Sequence, residues 1–353
     1  MNKRLIKSND EGGGASFNTV TYTAETTNGT YEITGVGFQP DFIWVKNRDN
    51  VENHYLIDSV RGLTNMTDKF LQSNTTNSES AASLFVNSLS EPNSTTVTAI
   101  DDGFRVVETT INSGEFYFNG RDYVAWCWKA GGAAVTNNDG TTPSQVSANV
   151  EAGFSIVTWT TNLSPATLRV GHGLGQTPDI VIFKRRSSPA EDWYILSNLF
   201  DGSYLLLNST AGLQSLGSSY STSVTDTLLT SFTGAIGIDY VAYCFAEVAG
   251  FSKFGSYEGT GNNGNFVSTS VDGDAGFEPA FLMVKRTENP DNWVIVDNKR
   301  GTSNSLFPDD SSQELSNSGA ATFSSNGFTV NGASGGWNVL GETYIYMAFA
   351  NQF

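Results

Sequence analysis

Apolar residues in this chain fall in short runs, each bounded by Gly, Asn, Asp or Ser. Within the runs Val, Ile, Thr, Phe, Tyr and Trp dominate, as they do in strands. No segment carries a sustained 3.6-residue apolar period with helix caps. Some runs, such as "TVTYTA" (19–24), alternate apolar and polar positions, the pattern of a strand with one wet face. "PDFIWVK" (40–46) is different. Phe42 and Trp44 point one way and Ile43 and Val45 the other, so this strand must be central and covered on both sides. "YVAWCWKA" (123–130) reads likewise, while Asp-Gly at 102–103 and Asn-Gly at 326–327 are hairpin signals. The pattern predicts an all-β chain.

The buried-strand phrase returns. "GFQPDFIWVK" (37–46) is followed by "GQTPDIVIFK" (175–184) and "GFEPAFLMVK" (276–285), with Pro40, Pro178 and Pro279 leading to Lys46, Lys184 and Lys285. Proline fits the first position of such a strand, where its missing N–H removes no ladder bond. Each copy is preceded by a Phe-led strand (Phe17, Phe154, Phe251) and followed by a Tyr-led one (Tyr123, Tyr240, Tyr344). "HYLIDSVRG" (54–62) matches "WVIVDNKRG" (293–301), whereas "WYILSNLFDG" (193–202) keeps the strand and loses the Asp and Arg. A period of about a hundred residues is too long for a solenoid or propeller blade. The expected architecture is therefore three tandem related β-sandwich or jelly-roll-like modules: a flexible basic arm (1–16), unit one (17–130), a long loose linker (131–153), unit two (154–249) and unit three (250–353). Only "EVAG" (247–250) separates units two and three, so these should pack closely, with unit one more independent.

Composition narrows the function. The 353 residues carry 19 Lys and Arg against 36 Asp and Glu, a net charge of −17, which argues against nucleic-acid binding. Charged residues are only 16%, so the polar surface is built from Ser, Thr, Asn and Gly. No apolar run approaches a membrane span, so no membrane insertion is expected. The start, "MNKRLIKSNDEGGG", lacks the apolar core of a signal peptide, and no export by that route is expected. The N-x-S/T triplets at Asn28, Asn65, Asn74, Asn93, Asn162 and Asn208 then read as polar turns. Lys3, Arg4 and Lys7, followed by Gly12, Gly13 and Gly14, form a basic, jointed arm suited to anchoring in an acidic pocket of a neighbouring subunit.

Candidate chemistry is sparse. His54 occupies a slot that holds Trp193 and Trp293 in the other units, which marks a packing position; His172 lies in the Gly-rich turn "VGHGLGQTPD". Asp58 with Arg61 and Asp297 with Arg300 are the best polar constellation, read either as a repeated site or as an Asp that caps a turn and pairs with the nearby Arg. Cys127 and Cys244 share a position that Ala348 fills in unit three, so it wants a small buried side chain. "DGDAG" (272–276) lacks the further ligands of a calcium loop, and "GHGLG" lacks the helix and Lys of a phosphate cradle. The chain is rich in carboxylates, but no two stand out as a glycosidase pair. No catalytic residue, metal site or cofactor is expected, the chain is read as not an enzyme, and its binding residues are left open.

Long phrases nonetheless carry a resemblance. "ASFNTVTYTAETTNGTYEITGVGFQPDFIWVKNRDN", "YVAWCWKAGGAAVTNNDGT", "VGHGLGQTPDIVIFKRR" and "GETYIYMAF" resemble a family of bacteriophage virion proteins, many from marine phages and cyanophages, described as tail, tail-fibre or structural proteins. The resemblance covers about Lys3 to Phe353. It implies a virion protein assembled in the host bacterial cytoplasm, contacting other virion proteins, forming a homo-oligomer within the particle and binding a host cell-surface glycan. The alternative it leaves is a capsid or tail decoration, knob or adaptor protein with no host ligand. The chain departs from the tail-fibre pattern in lacking a coiled-coil or β-helical shaft and a large N-terminal anchor domain. No site residues come with the resemblance.

Overall fold

Strand follows strand without a helix among the residues that the computed structural model describes: 16–24, 30–63, 69–81, 95–108, 120–162, 168–200, 202–216, 223–231, 236–316, 319, 321–332 and 336–351. The arm residues Lys3, Arg4 and Lys7 lie outside them. Unit one contributes β1 (Phe17–Thr23), β2 (Thr30–Thr34), β3 (Phe42–Asn47), β4 (His54–Asp58), β5 (Lys69–Phe70), β6 (Ser80–Ala81), β7 (Thr95–Ile100), β8 (Gly103–Glu108) and β9 (Asp122–Trp128). The next stretch contributes β10 (Val135–Asn137), β11 (Ser144–Asn149), β12 (Phe154–Thr160), β13 (Leu168–Gly171), β14 (Ile180–Arg185), β15 (Trp193–Ser197), β16 (Ser203–Leu206), β17 (Gln214–Ser215), β18 (Leu228–Ser231) and β19 (Asp239–Phe245). Unit three contributes β20 (Ser252–Glu258), β21 (Asn265–Ser268), β22 (Phe281–Arg286), β23 (Val294–Asp297), β24 (Ala321–Ser324), β25 (Gly327–Val330) and β26 (Thr343–Phe349).

One strand order occurs three times. β1-β9-β3-β4 forms a sheet of its own, β12-β19-β14-β15 lies within a longer sheet, and β20-β26-β22-β23 forms a third. A smaller sheet belongs to each unit: β2-β8-β7, β13-β18 and β21-β25-β24. The proline-led strands are inner strands with both faces buried, as their sequences demand. In β3 the two faces go to different cores. Ile43 and Val45 meet Phe104 and Val106 of the unit's own smaller sheet. Phe42 and Trp44 instead join a central core shared with Phe154, Ile182, Phe281 and Met347. The hairpin signals are correctly placed, with tips at Asp101–Asp102 and Ser325–Asn326. Gly103 and Gly327 follow these tips, and there close approach is what requires glycine: an added Cβ would lie 2.0 Å from the Ile33 carbonyl and 2.2 Å from that of Val267.

The central core has a near-threefold arrangement. Trp128, Phe245 and Phe349 end the three closing strands, and their ring centroids are mutually 6.2, 5.7 and 5.7 Å apart. Equivalent residues can touch one another pairwise only around an axis. The space left at this centre is about 10 Å³, bordered by Phe42, Trp44, Ile182, Tyr243, Met283 and Met347. That is at the lower limit for one water, and the border is almost wholly apolar.

Two expectations need correction. Residues 131–153 are not a loose linker: β11 pairs with β12 over its whole length and β10 pairs with β11. Their polar composition hid this: the apolar alternation is reduced to Val146 and Ala148 of β11, while the Ser144 and Ser147 hydroxyls donate to the Gly171 and Gly132 carbonyls. Nor is unit one the independent member. Phe17 lies 5.6 Å from Phe281 and 5.4 Å from Phe349, so the first strand of the chain packs on its last.

Candidate functional site

The best polar constellation in the sequence is a set of ties between units. In the turn after β4, Asp58 Oδ1 accepts the N–H groups of Val60 (3.1 Å) and Arg61 (2.9 Å), so the carboxylate caps its own turn. Its Oδ2 pairs with Arg61 Nε and accepts the Tyr243 hydroxyl of β19 at 2.8 Å. Arg61 Nη2 donates back to that hydroxyl at 3.0 Å. Arg61 Nη1 reaches Glu79 at 3.0 Å, and Glu79 in turn holds Arg186 of unit two at 2.8 Å. Burial raises the Glu79 carboxyl, but Arg61 and Arg186 outweigh it and leave the pKa below its ordinary value. The result is a five-residue network across the seam between units one and two.

The seam between units three and one repeats it. Asp297 Oδ1 accepts the N–H groups of Lys299 (3.0 Å) and Arg300 (2.8 Å). Asp297 Oδ2 accepts from Arg300 Nε at 2.6 Å and from Trp126 Nε1 of unit one at 3.0 Å. Glu314 bridges Arg300 (2.9 Å) and Arg48 of unit one (2.8 Å). The Arg300 guanidinium also lies 5.4 Å from the Trp126 ring centre. At the seam between units two and three all five positions change together, to Ser197, Phe200, Leu213, Thr287 and Met347. Only the backbone tie survives: Leu213 N–H donates to Thr287 O at 2.7 Å, as Glu79 does to Arg186 and Glu314 to Arg48, both at 2.8 Å. This all-or-none change is what burial dictates, because one partner left alone is a buried, uncompensated charge.

Each unit also sends an arm onto the next. Gln72 O of unit one accepts Trp193 Nε1 of unit two at 2.8 Å, and Leu206 O of unit two accepts Trp293 Nε1 of unit three at 2.9 Å. Four residues further on, Thr76 O and Thr210 O accept the N–H groups of Glu191 (3.0 Å) and Asp291 (2.8 Å). The same two carbonyls accept the buried Lys184 and Lys285 ammonium groups at 2.8 and 3.1 Å. The arm of unit three closes the ring, with Ser311 O accepting Glu52 N–H of unit one at 2.9 Å and Pro308 O accepting the Ser73 hydroxyl at 2.7 Å. Lys46 is equally buried but donates within its own unit, to Asn47 O (2.6 Å) and Asn50 O (3.3 Å). Burial lowers all three lysines to about 8, against the opposing pull of nearby carboxylates. The lysine of the recurring phrase is therefore a backbone clasp.

Between Gln72 and Thr76 sits Asn74, whose Oδ1 accepts the N–H of His54 at 3.1 Å; Asn208 does the same for Trp193 at 2.7 Å and Asp309 for Trp293 at 3.0 Å. The sequence offered these asparagines only as turn residues. The signal that could have found them is an Asn or Asp two residues before a Ser or Thr at the matching place of each unit, 74/76, 208/210 and 309/311.

The remaining candidates sit apart. His54 is fully buried beside Trp44 and Trp126; its Nδ1 accepts Trp44 Nε1–H at 3.0 Å, so the ring proton belongs on Nε2. Burial, with Lys46 beside it, holds the pKa well below that of free histidine. His172 Nδ1 accepts Leu174 N–H of its own turn at 3.3 Å, and its Nε2 contacts Thr225 O at 3.0 Å. Cys127 and Cys244 are free and buried in the separate cores of units one and two. "DGDAG" is a turn in which Asp274 Oδ1 accepts the N–H groups of Val271 (2.8 Å) and Gly276 (2.9 Å). Among the described residues no three His, Cys, Asp or Glu side chains gather as metal ligands.

A family described as a domain of unknown function, DUF7483, matches residues 13–352. The chain belongs to this family. The DUF7483 match runs through all three units as one stretch and begins after Lys3, Arg4 and Lys7. No curated protein and no solved structure matches the chain.

Proposed function

We propose that this DUF7483 protein is a bacteriophage virion protein exposed on the particle, of the tail-fibre, spike or tip type, and that it takes part in attachment to the host surface. In this reading it is built from three tandem related β-sandwich modules closed into a ring. It touches other virion proteins through its basic N-terminal arm, assembles as a homo-oligomer within the particle and meets a host glycan with its outer loops. It carries no catalytic site and no cofactor, and it contacts neither nucleic acid nor the membrane interior. The observation that carries the reading is the disposition of the polar groups. The charged constellations described above are spent inside the seams, and a body tied this way suits exposed duty on a particle. The long phrases that resemble those of phage virion proteins support a place on the virion.

A decoration or adaptor role is the second reading, and the near-threefold core favours it, because a body with three similar faces suits a threefold position on a particle. Adsorption competition separates the two. Host cells incubated with the purified, folded protein are challenged with the phage. Dose-dependent loss of adsorption is expected for attachment; unchanged adsorption would favour decoration.

A further inference from the structure

The seam between units three and one differs from the other two at the residue in the middle of each arm. Asn74 and Asn208 each do two jobs there. Their Oδ1 atoms accept a strand N–H, and their Nδ2 groups donate to the side chain that precedes it, Asn53 at 2.8 Å and Asp192 at 2.7 Å. In unit three the position is Asp309, and Asn292 stands where Asn53 and Asp192 stand. Asp309 Oδ1 keeps the first job, accepting Trp293 N–H at 3.0 Å. Its Oδ2 is buried and has no hydrogen-bond partner among the described residues. A carboxylate has no proton to donate, whereas a carboxylic acid does. The arm around it is fastened to unit one through Pro308 O and Ser311 O.

We propose that Asp309 carries a proton in the closed ring and does as an acid what asparagine does in the other arms, so that this seam is the ring's proton-sensitive closure. It is also the only seam whose two units are not consecutive in the chain, so nothing covalent bridges it directly. The surroundings favour the neutral acid. Burial is the largest influence and lifts the carboxyl to about 7; Asp310 beside it pushes the same way, and Lys285 of β22 opposes. Lys285 donates to Thr210 O and Arg286 O and feels Asp291. Across the seam Lys46 feels Glu52, Asp310 and Glu314, and His54 is held neutral. With the folded value above the unfolded one, the closed ring binds the extra proton. Its contribution is complete below the ordinary Asp value of 3.8 and is lost as pH rises through about 7.

The test compares the full-length protein with Asp309→Asn by denaturant unfolding from pH 6 to 8. The wild-type folding equilibrium should fall about tenfold relative to D309N over that range, because the amide does not titrate. Hydrogen exchange locates the effect. Protection of the Glu52 and Glu314 amides, which cross this seam, should fall relative to the Glu191 and Glu79 amides, which cross the seam between units one and two. Parallel unfolding curves for the two proteins, or a constant protection ratio, would overturn the proposal. If D309N does not fold, the wild-type protection ratio decides alone.

Discussion

At the residue scale, the identity of a buried side chain is set by what faces it. His54 fits its slot because Trp44 is its neighbour, whereas Trp193 and Trp293 stand beside the smaller Ile182 and Met283 of the corresponding strand positions. Trp44→Ile alone and His54→Trp alone should each destabilise by about 1–4 kcal/mol, through a cavity and through overpacking. The double variant should be more stable than either in thermal melts. His54 also sets an acid limit. Its folded pKa lies below the free value of 6.5, so its contribution is present above that value and is lost as pH falls toward the folded one. Melts of His54→Gln should lose part of the acid sensitivity seen in the wild type. The Asp58 tie obeys the same logic. Asp58→Ser alone, which removes the nearest carboxylate from buried Arg61 and leaves it Glu79, should cost about 3–5 kcal/mol. Installing the whole unit-two set (Asp58→Ser, Arg61→Phe, Glu79→Leu, Arg186→Thr, Tyr243→Met) should recover much of that loss in denaturant melts.

At the scale of elements, the three Phe-led strands show how an edge is closed. β12 is covered by β11. β1 protects itself, since Asn18 Oδ1 accepts the outward Thr19 N–H at 2.9 Å. On β20 the Phe254 N–H is taken by Glu247 at 3.0 Å. Three local solutions to one exposed ladder are what edge strands require if chains are not to pair with one another. Glu247→Ala should cost about 1 kcal/mol and promote self-association, read by light scattering as a function of concentration. Most of this scale was legible in sequence. The inner strands announced themselves by two apolar faces, and the hairpin tips by their glycines. The pairing of β10 and β11 was missed, because hydroxyls that bond to backbone carbonyls surround an apolar alternation only two residues long, Val146 and Ala148.

For the whole molecule, the shared core implies interdependence. The faces bearing Phe42, Trp44, Trp126 and Trp128 are buried against the other units. A fragment spanning 17–130 should therefore aggregate or remain without a cooperative melt, and regain one when mixed with 131–353. A stable, monomeric fragment with sharp thermal unfolding would show that the central core is dispensable. The proposed virion role makes a prediction at this scale too: deletion of residues 1–14 should leave the melt unchanged and abolish incorporation into particles, measured as copy number per particle.

Local chemistry fixes much of this protein without a structure. Two apolar faces in "PDFIWVK" force an inner strand, and a phrase that returns with its proline and lysine in register predicts a repeated strand order, which the sheets carry. An Asp three residues before an Arg forms a capped turn after both "HYLID" and "VIVD". What only the tertiary structure decided is which unit answers each exposed face. Asp58 meets Tyr243 and Asp297 meets Trp126 across 185 and 171 residues of chain. Such partners are selected by the closure of the ring about the rings of Trp128, Phe245 and Phe349. A buried carboxylate needs a donor, but nothing local to it says which distant strand will bring one.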